Sequence, residues 1–232
     1  MAPLDLPVGP HVPDITAAAL PKAPPAGKFV LLRPLEPAAD APGLFAVSHG
    51  SPQHDAIWTY LAYGPFADAA AMETWLQEQA PKTDPLFLAV CGRENGETLG
   101  MVSFLNIVPD MRRLELGHIW YGLKTQRTKT NTESIYLMLR SAFEDWHYRR
   151  VDWKCDSLNA RSRAAALRLG FRYEGLFRQH MIYKGRNRDT AWFAMMDHEW
   201  PAVKRGMEEW LYDEAGVAAG ASLSGLIHRK GE

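Results

Sequence analysis

Residues 114–121, Leu-Glu-Leu-Gly-His-Ile-Trp-Tyr, begin as an alternating apolar strand and lead through Gly122 into a basic turn, Lys124-Thr125-Gln126-Arg127-Thr128-Lys129-Thr130. A helix opens directly behind that turn at Asn131-Thr132-Glu133. So short a passage from strand to helix belongs to layered α/β architectures rather than to bundles or sandwiches. It also has chemical consequences. The first N–H groups of a helix lack intrahelical partners and are backed by the positive end of the macrodipole, so they converge on an anion. The turn carries three cations and no acid, which suits a pyrophosphate that Arg127 and Lys129 can also contact. Read plainly, the same residues form a solvated loop closed by the capping box Thr130-x-x-Glu133.

The rest of the chain extends this α/β order. Residues 28–33 form a short first strand stopped by Pro34, and residues 37–49 a helix with Pro42 in its first turn. Asp68 caps a second helix whose Met72, Trp75 and Leu76 fall at i, i+3 and i+4. Residues 86–91 and 99–108 read as a hairpin across Asn95-Gly96, with 114–121 as the third antiparallel strand. The helix behind the basic turn puts Ile135, Met138, Leu139, Ala142, Phe143 and Trp146 on one stripe, which is a core face. It delivers the chain to a strand at 150–155 that runs parallel to its predecessor, and a cleft opens where such strands diverge. Residues 181–183 and 191–196 close the sheet as a hairpin around Gly185-Arg186-Asn187-Arg188-Asp189. The expected fold class is α/β in layers: a mixed, mostly antiparallel twisted sheet with a splayed parallel strand pair and helices on both faces.

With 232 residues, 47% of them hydrophobic, the chain supports one core with extensions. Three segments are expected: a Pro-rich flexible arm over residues 1–27, the globular domain over 28–200, and a C-terminal helix and tail over 201–232. Trp200, Trp210 and Leu211 give the last helix an apolar face, turned either to its own domain or to a partner such as a second copy in a homodimer. A net charge of -1 with interspersed signs argues against a general nucleic-acid binder. No stretch is long enough to span a membrane. Cys91 and Cys155 lie in apolar runs without metal or redox spacing, as expected for buried thiols in a reducing cytoplasm.

A second motif gives the turn its meaning. Residues 156–171 read as a strand end, an N-cap at Asn159, an Ala-rich helix carrying Ser162 on the same face, and the stop Leu169-Gly170-Phe171, followed by Glu174-Gly175. Together with the basic turn this resembles the GCN5-related N-acetyltransferases (GNAT), most closely the branch of ribosomal-protein N-terminal acetyltransferases, over residues 28–200. The resemblance implies acetyl-CoA as cosubstrate and no metal. It places the pyrophosphate at Gln126, Arg127, Thr128, Lys129, Thr130, Asn131 and Thr132, where Lys129 and Asn131 replace two small residues of the family pattern. It assigns the acyl and pantetheine contacts to the strand residues Ile119, Trp120 and Tyr121 and to Asn159. Ser162 is expected to return a proton to the leaving thiolate.

Acetyl transfer to an amine requires a base and an oxyanion donor. Glu115, on the strand before the turn, is the first candidate base, with His118 and His180 as rivals. Strict alternation puts His118 on the opposite face from Glu115. A backbone N–H from residues 117–121, near a bulge, is the expected donor. The aromatic segment around Trp58, Tyr60, Tyr63 and Phe66 reads either as an acceptor wall for a small-molecule amine or peptide N-terminus, or as the core of a helical cap. Two further readings use the same residues. One is a non-catalytic acyl-CoA-binding member with a degraded turn, and the other an RNA-contacting module using Arg127, Lys129, Arg161, Arg163 and Arg168.

Overall fold

In the computed structural model, which describes residues 6–17, 20, 26–213 and 220–229, a seven-stranded sheet runs in the order β1-β2-β3-β4-β5-β7-β6. The strands are β1 Val30–Pro34, β2 Leu86–Gly92, β3 Thr98–Val108, β4 Arg113–Tyr121, β5 Arg150–Asp156, β6 Arg172–Tyr183 and β7 Arg186–Met196. All neighbours pair antiparallel except β4 and β5, which are parallel. The parallel pair needs a crossover, supplied by helix α4 (Lys129–Arg140) and a π-helical stretch, Ser141–Asp145.

Strand β2 is buried on both faces, so it reads as a continuous apolar run rather than an alternation. Leu88 and Val90 join one core with Phe104, Leu114, Leu116 and the stripe of α4. Phe87, Ala89 and Cys91 join the other with Leu44 of α1 (Pro37–Ser48), Trp58, and Met72 and Leu76 of α3 (Ala69–Gln79). A short helix α2 (Pro52–Asp55) links α1 to the aromatic segment. Helices therefore cover both faces, but α1–α3 roof only the β1–β4 half of theirs, and β6 at the far edge is exposed along most of its length.

The structure corrects several expectations. Pro42 lies inside α1 rather than in its first turn, where Pro37 stands instead. The β6–β7 hairpin turns at Lys184-Gly185, both at positive φ, so residues 186–189 are strand and the turn is tighter than the glycine-bracketed loop suggested. Of the two alternatives left open for the helix from 200 onward, packing on its own domain is the one seen: in α6 (Trp200–Tyr212), Trp200, Val203, Met207 and Leu211 are all buried with α4. A further helix, α7 (Leu223–Ile227), packs on Gly206, where any side chain would strike the Ile227 backbone. Part of the N-terminal arm is also seated, with Ala17 buried and Leu20 packed on the core. The remainder of the arm and tail assignments, at 1–5, 18–19, 21–25, 214–219 and 230–232, lies outside the described residues.

The capping box is absent. Helix α4 begins two residues earlier than expected, with Thr128 as an N-cap whose side chain accepts no bond from the helix. The Glu133 carboxylate is instead fully buried and accepts from the backbone N–H groups of Lys28 (2.8 Å), Phe29 (2.6 Å) and Val30 (2.8 Å) and from the Tyr212 hydroxyl (2.8 Å). Gly27 makes room for it, since a Cβ there would overlap the carboxyl group. Glu133→Ala strands three N–H donors in an apolar surround and is expected to cost about 3–5 kcal/mol in urea unfolding. Tyr212→Phe should cost about 1 kcal/mol. A loss below about 1 kcal/mol for Glu133→Ala would mean that water takes the carboxylate's place.

Candidate functional site

Strands β4 and β5 pair only from Arg113–Arg150 to Leu116–Trp153. Beyond that point β4 continues to Tyr121 and β5 to Asp156 without hydrogen bonding to one another, and a gap opens in the sheet. Its cause is on the other side of β4. Met101 pairs with Trp120 and Ser103 with Gly117, so two steps on β3 are matched by three on β4. The extra residue is His118, at a φ of 51°, and such a bulge bends its strand.

The bulge also resets the side-chain alternation. Leu114 and Leu116 face the α4 core, Ile119 packs there again, and Trp120 faces the α1–α3 side. His118 contacts Phe87 (4.8 Å) and Tyr63 (5.6 Å), both on the α1–α3 side. Glu115 faces that side too, between Asn106 and Lys154. Alternation had separated the two residues, and the inserted residue brings them to one face.

Glu115 is buried, with Oε2 at 2.6 Å from the Lys154 ammonium and 2.7 Å from Asn106 Nδ2. Burial raises its pKa, while Lys154 pulls the other way. Next to it, Asp152 accepts from Arg150 Nε (2.7 Å) and Trp192 Nε1 (3.3 Å), and these residues line a groove of about 390 Å³ with Glu174 and Phe177. His118 is held down at about 4, first by burial and then by the charge of Arg188, so it is neutral at neutral pH. His180 stands two strands beyond β5 in the sheet. It is exposed on β6, with Nδ1 3.0 Å from Thr190 Oγ1 and its ring against Phe177 and Trp192.

The aromatic segment serves both as cap core and as wall. Trp58 is buried against Trp120 (5.0 Å), Phe66 (5.4 Å) and His49 (5.2 Å). Tyr60 reaches across to donate to the Leu158 carbonyl at the end of β5. Beside His118, the Tyr63 hydroxyl and Trp120 Nε1 are sealed from solvent and close to one another, with no well-formed hydrogen bond among the described residues.

At the other end of the gap lies the basic turn. Its left-handed residue is Arg127 (φ 61°), so the position best suited to glycine is 127 rather than 129 or 131. Among the described residues the N–H groups of Gln126 and Arg127 donate to no backbone carbonyl, while Gln126 Nε2 bonds the Tyr121 carbonyl (3.0 Å) and Thr128 Oγ1 the Thr125 carbonyl (2.6 Å). Lys129 turns away: its ammonium donates to the Leu211 carbonyl (2.8 Å) and lies 5.6 Å from the Phe29 ring centre. The Asn131 side chain accepts from Thr132 Oγ1 through Oδ1 (3.3 Å), and its backbone carbonyl accepts from Ser134 Oγ (2.9 Å). Thr130 and Thr132 begin α4, and Thr132 Oγ1 accepts from Arg168 Nη1 at 3.2 Å. Arg168, partly buried and without a carboxylate partner among the described residues, has its pKa lowered by desolvation. It comes from the far end of helix α5 (Ala160–Arg168) to the start of α4, whereas the sequence placed it only among the arginines of an RNA-contacting module.

Asn159 caps α5, its Oδ1 accepting from Ser162 N–H (3.0 Å). Ser162 Oγ accepts from Trp153 Nε1 (3.0 Å). Both stand at the end of β5, beside the gap. No group of three or more metal-ligating side chains occurs among the described residues, nor is any helix there long and apolar enough to cross a membrane.

The depressed His118 predicts an acid-labile fold. As pH falls through about 6.5 the unfolded chain takes up a proton that the folded site refuses until about 4, so stability declines over that window by on the order of 3 kcal/mol. Urea titrations at several pH values should show this slope flattened in His118→Phe, and an unchanged slope would assign the acid sensitivity to other groups.

Residues 30–172 match the family model of the acetyltransferase (GNAT) domain. A Bacillus subtilis protein, YdaF, named provisionally as a ribosomal N-acetyltransferase, is 25% identical over 182 residues, covering 76% of this chain and 96% of its own. The crystal structure of a GCN5-related N-acetyltransferase from Brucella melitensis is 37% identical and superposes with a TM-score of 0.87, covering 92% of this chain and 98% of that one. A GNAT-family structure from Chromobacterium violaceum, also 37% identical, gives 0.76 over 85% of this chain and 100% of its own.

Proposed function

The chain belongs to the GNAT acetyltransferase family, and on that premise we propose that it moves the acetyl group of acetyl-CoA to a primary amine by direct attack in a ternary complex. The observation that carries this reading is the gap between β4 and β5, with a cationic, N–H-rich turn at one end and Glu115 with His118 at the other.

Each part of the gap has a task. The free N–H groups of Gln126 and Arg127, those of the first turn of α4, and Arg168 suit the pyrophosphate. Asn159 and Ser162 flank the route of the pantetheine. The cosubstrate supplies an acetyl thioester, whose carbonyl becomes more negative as it is attacked. A β4 backbone N–H beyond the bulge, no longer needed for pairing with β5, donates to that oxygen. Glu115 accepts the proton of the amine directly or through water, its raised pKa bringing it nearer the neutral range. Lys154 keeps it ionised between turnovers. Ser162 has the weak acceptor Cys155 Sγ beside it, so its hydroxyl hydrogen is available to a leaving thiolate. The aromatic wall and the groove beside Asp152 receive the acceptor, a small molecule or a peptide N-terminus.

Calorimetric titration with acetyl-CoA tests the donor end. Micromolar binding is expected, with Arg168→Met raising Kd about 10- to 100-fold, the worth of a charge-assisted phosphate contact, and Lys129→Met changing it less than about twofold. Absence of acetyl-CoA binding to the wild type would overturn the reading. At the other end, Glu115→Gln should lower kcat/KM at neutral pH about 100-fold and recover towards wild type as the amine deprotonates at high pH. A pH-independent deficit would make Glu115 a structural partner of Lys154.

A further inference from the structure

We propose that Arg188 reads an anion on the acceptor, so that the amine acetylated by this protein carries a carboxylate or phosphate of its own. The proposal rests on the acetyltransferase reading and adds the charge of the second substrate to it.

Position comes from register. Asp156 and Thr190 form the last pair between β5 and β7, so Arg188, two residues nearer the hairpin turn, lies past the end of β5 where the gap opens. It shares a face of β7 with Thr190 and Trp192. Trp192 pairs with Lys154, and Asp152 with Glu115. Arg188 is therefore on the face of Glu115 and His118, over the gap. Its charge is felt by His118 on β4 and by Cys155 on β5, one group on each diverging strand.

The guanidinium has no partner that explains it. Its Nε is sealed from solvent and makes no hydrogen bond. Its Cζ lies over the Tyr183 ring, 5.5 Å from the ring centre. Arg33, Arg150, Arg172 and Arg229 each hold a carboxylate, and Arg188 has none within ion-pair distance among the described residues. Asp156, at the end of β5, is engaged by Leu158 N–H (2.9 Å) and the Tyr183 hydroxyl (2.9 Å). A partly desolvated arginine with no counter-charge weakens a fold rather than supporting it. Its surroundings nevertheless hold it firmly. Tyr183 is fixed by Asp156, and Lys184 bonds the Trp58 carbonyl (2.9 Å), tying the hairpin to the aromatic wall. A guanidinium held on an aromatic face, with a sealed Nε–H that bonds no described residue, suits the planar fork of a carboxylate or phosphate. A site built this way rejects the neutral analogue, which would leave that buried donor unpaired.

The test uses the full chain with acetyl-CoA and matched acceptors: free L-methionine and L-phenylalanine against their α-carboxamides, the α-carboxamides of L-aspartate and L-glutamate against those of L-asparagine and L-glutamine, and O-phosphoethanolamine against ethanolamine. For at least one pair the wild type should favour the anionic member at least tenfold in kcat/KM, and the favoured pair tells carboxylate from phosphate. Arg188→Met should collapse that ratio through KM, Arg188→Lys should retain part of it, and both should bind acetyl-CoA within twofold of wild type by calorimetry. A general loss of packing would slow both members alike and leave the ratio unchanged. The proposal is overturned if neutral members match anionic ones in the wild type, if no anionic member is acetylated, or if the ratio survives Arg188→Met. Should Arg188→Met fail to fold, the wild-type ratio and Arg188→Lys decide. Failure of the wild type to bind acetyl-CoA is a separate result, which removes the enzymatic reading itself.

Discussion

One extra residue on β4 organises the site. Because two steps of β3 face three of β4, β4 bends at His118 and cannot follow β5 beyond Leu116. A regular sheet would have closed that seam with hydrogen bonds and left no path through the middle of the protein. The bulge also brings Glu115 and His118 to one face. Opening the sheet and assembling its polar groups are thus a single event. The bulge is sustained by packing on both sides: Trp120 locked under Trp58, Ile119 against the α4 core, and His118 wedged between Phe87 and Tyr63.

The two ends of the gap are electrostatically unlike each other. Around Glu115 the carboxylates are matched, Glu115 by Lys154 and both Asp152 and Glu174 by Arg150, which holds ionised groups in a partly buried place. Arg168 and Arg188 break that rule. Each is partly buried and neither holds a carboxylate among the described residues, although the chain as a whole is close to neutral. On the proposed reading, that local imbalance is where the anions of the two substrates enter.

Much of the fold was legible because it depends on periodicity. The stripe from Ile135 to Trp146, the alternation entering β4 and the Asn159-to-Gly170 helix all carry one-dimensional signals, and all are present. What could not be read depends on partners distant in sequence. Lys129 looked like a phosphate ligand until its ammonium was found on the Leu211 carbonyl. Glu133 fitted a capping box, yet its bonds go to residues 28–30, because helix α4 is so enclosed that the carboxylate meets backbone rather than water. The inserted residue leaves no compositional trace, so a correct strand still gave the wrong face for His118. Arg188 had no signal in the sequence, since lacking a partner is a property of three dimensions.

The Glu133 carboxylate has one more consequence, which concerns time. The ribosome makes β1 early, but the N–H groups at its start have no acceptor until the chain has grown to Glu133, and that carboxylate gains its last donor only when Tyr212 emerges. The α6 residues that seal the core above α4 arrive at the same late stage. The first and last parts of the domain are therefore locked by one side chain from its middle, so the nascent domain cannot close before its C-terminal helix has been made.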